Sequence, residues 1–171
     1  PGDITETDLA RYQATERAPV CGTYRSYKVC GMGPPSSGAT TVLQVLGMLE
    51  RFDLAKLGKD SPVAWHLIGE AMQLAYADRD KYLGDADFVD VPVAGLIDRG
   101  YIAKRSGLIS ETRALGSYEP GTPPGAPPRT SAPQRNEHGT THFIAIDAAG
   151  DIATMTSTIE MPFGSQLMAN G

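Results

Sequence analysis

The chain has 171 residues and a formal net charge of −5, with a sequence pI of about 5.1. This length suits one ordinary hydrophobic core, and an acidic balance without clustered Lys and Arg argues against a nucleic-acid groove. No apolar run is long enough to span a bilayer. The sequence begins with Pro-Gly-Asp rather than Met, so we expect a fragment or a processed piece of a longer protein.

The first predicted elements are a helix and a hairpin. The charged stretch within residues 1–17 is compatible with a helix that opens on a threonine cap. A two-residue turn at 25–26 then sets Cys21 opposite Cys30 on neighbouring strands. The pair either forms a cross-strand disulfide or remains two separate thiols, and we favour two thiols packed as small hydrophobes.

Two longer helices follow. Ser36 or Ser37 is expected to cap a helix that ends near Phe52, and we interpret this Ser-Ser-Gly as a cap and turn rather than a catalytic serine. A second helix is predicted from about Pro62 to Tyr82, because Pro suits a first turn and the apolar residues form one stripe. His66 lies beside that stripe, which favours a packed or half-exposed histidine over a metal ligand.

The next segments carry acids and then prolines. The aspartates between residues 78 and 90 lack the glycine and glutamate offsets of an EF-hand, so we predict no metal site there. A short amphipathic helix is expected near 100–109. Residues 116–135 contain six prolines and three glycines, a composition that indicates a mobile surface linker unable to bury enough apolar surface to fix itself.

The end of the chain predicts a second hairpin with chemistry at its mouth. Two strand-like segments, "TTHFIAID" and "DIATMTST", flank a glycine-containing turn. With that turn centred on Ala149, Thr140 falls opposite Thr158, and Glu160 points to the same face one pleat further on. A bulge would shift this register by one residue and swap the faces. Both faces of the first strand are fairly apolar, which is typical of a strand covered on both sides.

A threonine hydroxyl needs an adjacent base before it can act as a nucleophile. If the bond between Gly139 and Thr140 were cut, the new α-amino group would lie on the nucleophile's own residue, with an ordinary pKa near 8 that suits general-base work. Thr158 would hold the hydroxyl in its reactive rotamer, and Glu160 would meet a positively charged substrate group. The alternative is a structural Thr–Thr cross-strand pair with a solvated glutamate, and the pattern by itself leaves both open.

Three ordered motifs resemble those of the γ-glutamyltranspeptidases: "GPPSSGATTVLQVLGMLERFDL", "AYADRDKYLGDADFVDVP" and "GTTHFIAID…MTSTIEMPFGSQ". These are N-terminal-nucleophile hydrolases, made as one precursor and self-cleaved into a large and a small subunit. The resemblance covers nearly the whole chain. It implies an α+β fold that forms part of an α-β-β-α four-layer sandwich, with no metal or organic cofactor.

The resemblance also implies roles for the hairpin residues. Thr140 matches the threonine that begins the small subunit and attacks the γ-glutamyl amide, and Thr158 matches the threonine that hydrogen-bonds it. Glu160 matches the position that contacts the α-amino group of the glutamyl donor. The cut that forms the two subunits would fall between Gly139 and Thr140.

The organisation implied is a junction between two subunits. Residues 1–115 would be the C-terminal part of the large subunit, 116–139 a proline-rich mobile linker before the cut, and 140–171 the start of the small subunit. The partners would be the remainder of both subunits, a γ-glutamyl donor such as glutathione, and an amino acid or peptide acceptor, with no nucleic acid. The family's location implies the periplasm or the exterior, and we expect this piece by itself to be inactive.

Two rival functions remain open. A related acylase acting on glutaryl-cephalosporin or poly-γ-glutamate would have the same catalytic residues and a different substrate. A non-catalytic binding or scaffold protein on the same fold would leave no free amine at Thr140.

Overall fold

Residues 4–128 and 140–158 are described by the structure, a computed structural model. The chain divides into two compact units, one made of Pro1–Ala14 with Gln134–Gly171 and the other of Thr15–Pro133. The elements are α1 (Glu6–Arg11), β1 (Val20–Tyr24), β2 (Tyr27–Gly31), α2 (Gly38–Leu49), α3 (Leu54–Leu57), α4 (Pro62–Tyr82), α5 (Val93–Leu96), α6 (Arg99–Ser106), β3 (Thr140–Ile146) and β4 (Ile152–Thr158). This mixture of helices and antiparallel hairpins confirms the α+β class.

The helix α1 is shorter than the charged stretch that predicted it. Its N-cap is Thr5, whose side chain accepts from the Asp8 backbone N–H while the Asp8 carboxylate accepts from the Thr5 backbone N–H at 2.8 Å. This capping box satisfies donors that the first turn leaves unpaired. Hydrogen bonds from Thr5 lower the pKa of Asp8, so the box is stable in its ionised form.

The hairpin β1–β2 has the predicted register, with Cys21 paired to Cys30. The expectation of two separate thiols is wrong, because the two residues form a disulfide with their Cα atoms 4.1 Å apart. Spacing alone does not fix whether facing cysteines are oxidised, which is why the sequence left both states open. Cys21 is half-buried and Cys30 is exposed.

The helix α2 packs under this hairpin because glycines let the two backbones approach. A Cβ added at Gly22 would meet the Leu43 side chain at 2.8 Å, and one at Gly31 would meet the Ala39 Cβ at 3.2 Å. The N-cap is Ser37, but its side chain does not bond the first turn. The cap bond comes instead from Ser36, whose Oγ accepts from the Gly38 backbone N–H at 3.1 Å.

The helix α4 runs over the predicted residues and carries the core of the larger unit. Ser61 is its N-cap, accepting from the Ala64 backbone N–H at 3.3 Å, and Pro62 lies in the first turn. The core cluster contains Met48, Leu49, Phe52, Leu67, Ala71, Leu74, Ala75, Ile102 and Ile109. Within the described residues, no helix is long and apolar enough to cross a membrane.

A buried carboxylate joins the helices on the polar side of this core. Asp78 is fully buried and accepts hydrogen bonds from Gln44 at 3.0 Å and from the Tyr101 hydroxyl at 2.7 Å. It also lies 3.2 Å from the Arg105 guanidinium and accepts from the Gly121 backbone N–H at 2.8 Å. Burial, together with the bond to Asp78, raises the pKa of Tyr101, so its hydroxyl remains a donor.

Residues 115–124, which we call the strap, lie along α4. Glu70 on that helix is buried and accepts from the Leu115 backbone N–H at 3.1 Å and from the Tyr118 hydroxyl at 2.5 Å. The bond to Glu70 raises the pKa of Tyr118. Tyr118 also packs against the core cluster.

The strap then docks by its backbone and a proline. The Tyr82 hydroxyl donates to the Gly121 carbonyl at 2.8 Å, and Pro123 is fully buried. A Cβ at Gly95 in α5 would overlap the carbonyl oxygen of Pro124, so this approach requires glycine. A turn closes the strap, with the Ala126 backbone N–H donating to the Pro123 carbonyl at 3.1 Å.

These contacts correct part of the linker prediction. Composition indicated that residues 116–135 cannot fix themselves, yet within 116–128, the part that the structure describes, the chain is anchored by two buried acids and a buried proline. The composition argument failed because the partners are supplied by α4 and α5, far away in sequence. The proposed boundaries at 115 and 139 remain predictions.

The hairpin β3–β4 is a separate two-stranded sheet. Every residue of both strands is exposed in the described part of the chain. Both faces carry large apolar side chains such as Ile144 and Phe143, 58% and 50% exposed, and the expectation that this strand is covered on both sides in a layered fold stays a prediction. Within the described residues, the four layers implied by the resemblance are not visible.

Candidate active site

The turn between β3 and β4 sets the geometry of the candidate site. The Asp147 carboxylate accepts from the backbone N–H of Ala149 at 2.9 Å and of Asp151 at 3.0 Å. Gly150 has a φ of 89°, a value that glycine adopts readily. An Asx-type turn of this kind fixes where the second strand starts, and so it fixes the register of the whole hairpin.

The register places the two predicted hydroxyls together. Thr140 pairs with Thr158 and Ile146 pairs with Ile152, without a bulge between them. Directly opposed residues of an antiparallel ladder have Cβ atoms about 4.5–5.5 Å apart and project from the same face. The predicted opposition of Thr140 and Thr158 is therefore confirmed as geometry, while their catalytic roles remain predictions.

The other two predicted site residues lie outside the described residues. Gly139 directly precedes β3, and Glu160 follows β4 by two residues. Their roles in the cut and in substrate binding remain predictions.

A second polar pair, which sequence reasoning missed, lies next to the threonines. His142 is opposite Thr156, and its Nδ1 is 2.8 Å from the Thr156 hydroxyl. Because side chains alternate along a strand, this pair shares the face of Thr140 and Thr158. The signal was present in the sequence, since His142 lies two residues after Thr140 and Thr156 two residues before Thr158.

This face of the hairpin therefore carries a cluster of hydroxyls with one imidazole. Hydroxyls at hydrogen-bond range can orient one another but are weak bases. Attack on a carbonyl would need a stronger base, which a free α-amino group on Thr140 would supply after a cut. The arrangement fits acyl transfer once that amine exists.

Other residues weighed on the sequence have structural contacts. The Ser37 hydroxyl accepts from the Arg79 guanidinium at 3.0 Å, and the His66 Nε2 is 2.9 Å from the Ser110 carbonyl oxygen. Asp87 pairs with Arg17 at 2.5 Å, and this contact lowers the pKa of Asp87. Among the described residues, no group of three His, Cys, Asp or Glu side chains could hold a metal ion.

Comparison with known proteins identifies the family. The family model described as gamma-glutamyltranspeptidase matches residues 1–171. The chain is 40% identical over 168 residues to the glutathione hydrolase proenzyme of Escherichia coli (strain K12), covering 98% of this chain and 28% of that protein.

Solved structures agree with the sequence match. Helicobacter pylori gamma-glutamyltranspeptidase superposes with a TM-score of 0.67 at 45% identity, over 70% of this chain and 35% of that one. The cephalosporin acylase from Bacillus halodurans superposes with a TM-score of 0.64 at 32% identity, over 71% of this chain and 22% of that one. The chain thus spans less than a third of the curated E. coli protein that it matches.

Proposed function

Since the chain belongs to the gamma-glutamyltranspeptidase family, we propose that the whole protein is a γ-glutamyltransferase and glutathione hydrolase with Thr140 as its nucleophile. The observation that carries this proposal is the ladder pairing of Thr140 with Thr158 at the mouth of β3–β4. The name of the E. coli relative, a glutathione hydrolase proenzyme, supports the substrate and the precursor state.

Maturation is the first stage of the proposed mechanism. The Thr140 hydroxyl attacks the Gly139 carbonyl carbon, and the peptide C–N bond gives way to an ester while the Thr140 nitrogen takes the proton. Water then hydrolyses the ester, leaving a carboxylate on Gly139 and restoring the hydroxyl. Thr140 now carries a free α-amino group, whose ordinary pKa lies near 8.

Turnover uses the same hydroxyl. The α-amino group of Thr140 takes the hydroxyl proton as the oxygen attacks the γ-carbonyl carbon of the donor, and the leaving amine departs with that proton. The γ-glutamyl ester so formed is resolved by water, which gives glutamate, or by an amino acid or peptide amine, which gives a new γ-glutamyl amide. Thr158 holds the nucleophile in its reactive rotamer throughout.

Glu160 is proposed to bind the donor rather than to act in the chemistry. A γ-glutamyl donor is zwitterionic at its amino-acid end, and a carboxylate pairs well with its α-ammonium group. The rest of the large and small subunits would supply the remaining substrate contacts and the outer layers of a four-layer sandwich. We place the mature protein in the periplasm or outside the cell, where the Cys21–Cys30 disulfide would persist.

An acylase is the second candidate, because the chain resembles the cephalosporin acylase from Bacillus halodurans at a similar TM-score. The same nucleophile would then cleave a glutaryl amide, which has no α-ammonium group to meet Glu160. Parallel assays of the full-length protein with a γ-glutamyl amide and the matching glutaryl amide separate the two. A scaffold protein would cleave neither amide and would keep the Gly139–Thr140 bond intact.

The decisive test is the cut itself in the full-length protein. Thr140→Ala should leave one uncut chain, whereas Thr141→Ala, whose side chain is on the opposite face of β3, should still be cut. Intact mass and N-terminal sequencing measure both outcomes. Efficient cutting of Thr140→Ala at the same bond would overturn the nucleophile assignment.

A further inference from the structure

The maturation cut needs a base other than the one that serves turnover. In turnover the free α-amino group of Thr140 takes the hydroxyl proton, but before the cut this nitrogen belongs to a peptide bond. A peptide nitrogen is not a useful base, because its lone pair is shared with the carbonyl group. Since a threonine hydroxyl attacks a carbonyl only with the help of an adjacent base, another group must take the proton during the first cut.

The described hairpin contains one side chain that can be this base. Among the residues of β3 and β4, His142 is the only one with a titratable side chain. The acids of the connecting turn, Asp147 and Asp151, are at least five residues further along the chain, and the Asp147 carboxylate is already bonded to backbone N–H groups of the turn. The other side chains on the face of His142 are hydroxyls and isoleucines. Histidine is the side chain that most often acts as a general base.

The imidazole is placed to reach the Thr140 hydroxyl through one water molecule. His142 follows Thr140 by two residues on β3, so the two side chains project from the same face with Cα atoms about 7 Å apart. Two successive hydrogen bonds through a water span about 5.5 Å, which suits side chains that stand next to each other at this spacing. His142 is exposed, so water has access to its ring. Proton transfer through a single water is an accepted geometry for a general base.

Thr156 orients the imidazole from the opposite strand. It pairs with His142 in the ladder, and its hydroxyl is 2.8 Å from Nδ1. A hydroxyl can accept a hydrogen bond, and when Nδ1–H donates to Thr156, Nε2 keeps its lone pair. The bond made by one ring nitrogen thus sets the state of the other. A nucleophile, a base and a third group that orients the base are the parts expected of an activated hydroxyl.

We propose that His142, oriented by Thr156, is the base for the maturation cut. This inference rests on the proposed function, since it concerns the same bond between Gly139 and Thr140. The bridging water takes the Thr140 hydroxyl proton and gives one of its own protons to Nε2, while the Thr140 oxygen bonds to the Gly139 carbonyl carbon. The imidazolium returns a proton through the water to the Thr140 nitrogen as the C–N bond breaks. The ester and a neutral imidazole result, so no proton is gained or lost.

The experiment compares the rate of the cut in the full-length wild type and in His142→Ala, both made by cell-free translation. Samples stopped at intervals are analysed by intact mass, and thermal unfolding checks that the purified variant is folded. General-base catalysis contributes about 10²–10⁴-fold, so the cut should slow by about 100-fold or more. Imidazole added to the purified uncut variant should accelerate the cut as its concentration rises, because it replaces the missing ring. Thr140→Ala is the control and should stay uncut with or without imidazole.

Two further variants separate a base from a structural contact. The amide of His142→Asn can still bond the Thr156 hydroxyl but cannot take up a proton, so this variant should be cut as slowly as His142→Ala. Thr156→Val keeps the imidazole and removes the hydroxyl that orients it, so the cut should slow by less than in His142→Ala. A wild-type rate in Thr156→Val would overturn the orienting role.

The inference and the proposed function fail in different ways. A wild-type cutting rate in His142→Asn would overturn the inference, and so would a slow His142→Ala that imidazole does not accelerate. Either result would leave the proposed function in place. A folded wild type that stays uncut between Gly139 and Thr140 would overturn the proposed function and the role of His142 together.

Discussion

The Asp78 carboxylate and the Arg105 guanidinium lie 3.2 Å apart, and both side chains are buried. Arg105 also donates to the Leu74 carbonyl at 2.9 Å, so it joins α6 to α4. A buried pair is not a strong net source of stability, but breaking it strands one charge in the interior. Substitution of one partner of the pair should therefore destabilise the fold.

Asp78→Asn should lower the free energy of unfolding by about 3 kcal/mol, because it leaves the Arg105 charge uncompensated in the core. Asp60→Asn is the matched control, since Asp60 pairs with Lys59 at the surface, and it should change stability by less than about 0.5 kcal/mol. Urea denaturation of the full-length variants measures both. Equal shifts for the two variants would contradict a structural role for the buried pair.

The helices and the register of both hairpins were predictable from local signals. Ser61 and Pro62 mark the start of α4, and the turn at Asp147–Asp151 sets Thr140 opposite Thr158. Local capping and turn chemistry act over a few residues, so a single sequence contains them. These are the features on which the candidate site depends.

The features that the sequence did not predict depend on contacts between residues distant in sequence or on redox conditions. The strap contacts join Gly121 to Asp78, 43 residues away in sequence, and no local pattern carries such a pairing. The oxidation state of Cys21 and Cys30 depends on redox conditions rather than on spacing. The pairing of His142 with Thr156 needed the register first, after which the shared face follows from strand alternation.

Alkaline pH should loosen the strap through Tyr118. The hydrogen bond to Glu70 raises the pKa of Tyr118 above the ordinary 10.0. The hydrogen bond between Tyr118 and Glu70 therefore contributes fully to strap docking below pH 10.0. This contribution is lost as the pH rises through the raised pKa and the hydroxyl loses its proton. The difference in phenolate absorbance between wild type and Tyr118→Phe should titrate above 10.0, and titration at or below that value would refute the contact.

Removing the Cys21–Cys30 disulfide should destabilise the hairpin that covers α2. A bridge between residues nine apart is worth about 2.5 kcal/mol by loop-closure entropy. Reductant should lower the urea midpoint of the wild type by the amount that corresponds to this loss of free energy of unfolding. The double variant Cys21→Ser/Cys30→Ser should start from the lower midpoint and show no further response to reductant; a response there would assign the effect to something other than this bridge.

Thr158→Val should impair the cut and the turnover, because it keeps the shape of the side chain and removes the hydroxyl opposite Thr140. We expect a loss on the order of 10–100-fold, the range typical of a misplaced reacting group. Ser157→Ala is the control, since Ser157 faces the other side of β4. Similar losses for both variants would point to general damage to the strand rather than to hydrogen bonding of the nucleophile.

Glu160→Ala should weaken donor binding without removing the chemistry. We expect KM for a γ-glutamyl amide to rise on the order of 10-fold, the loss typical of a charge-assisted hydrogen bond, while the cut before Thr140 still occurs. A glutaryl amide has no α-ammonium group and serves as the internal control, so its kinetics should not change. An equal loss with both substrates would remove Glu160 from donor recognition.

The Asp147–Asp151 turn determines which residues of the two strands lie opposite each other along the whole hairpin. Thr140 is seven residues from its near edge, beyond any direct contact with it, yet one extra residue inserted in "DAAGD" would offset the two strands by one step. Thr140 would then pair with a neighbour of Thr158 in the sequence, and the Thr158 side chain would project from the opposite face of the hairpin. The alcohol would lose its partner although neither threonine had been changed, so the reactivity at one end of the hairpin depends on loop length at the other.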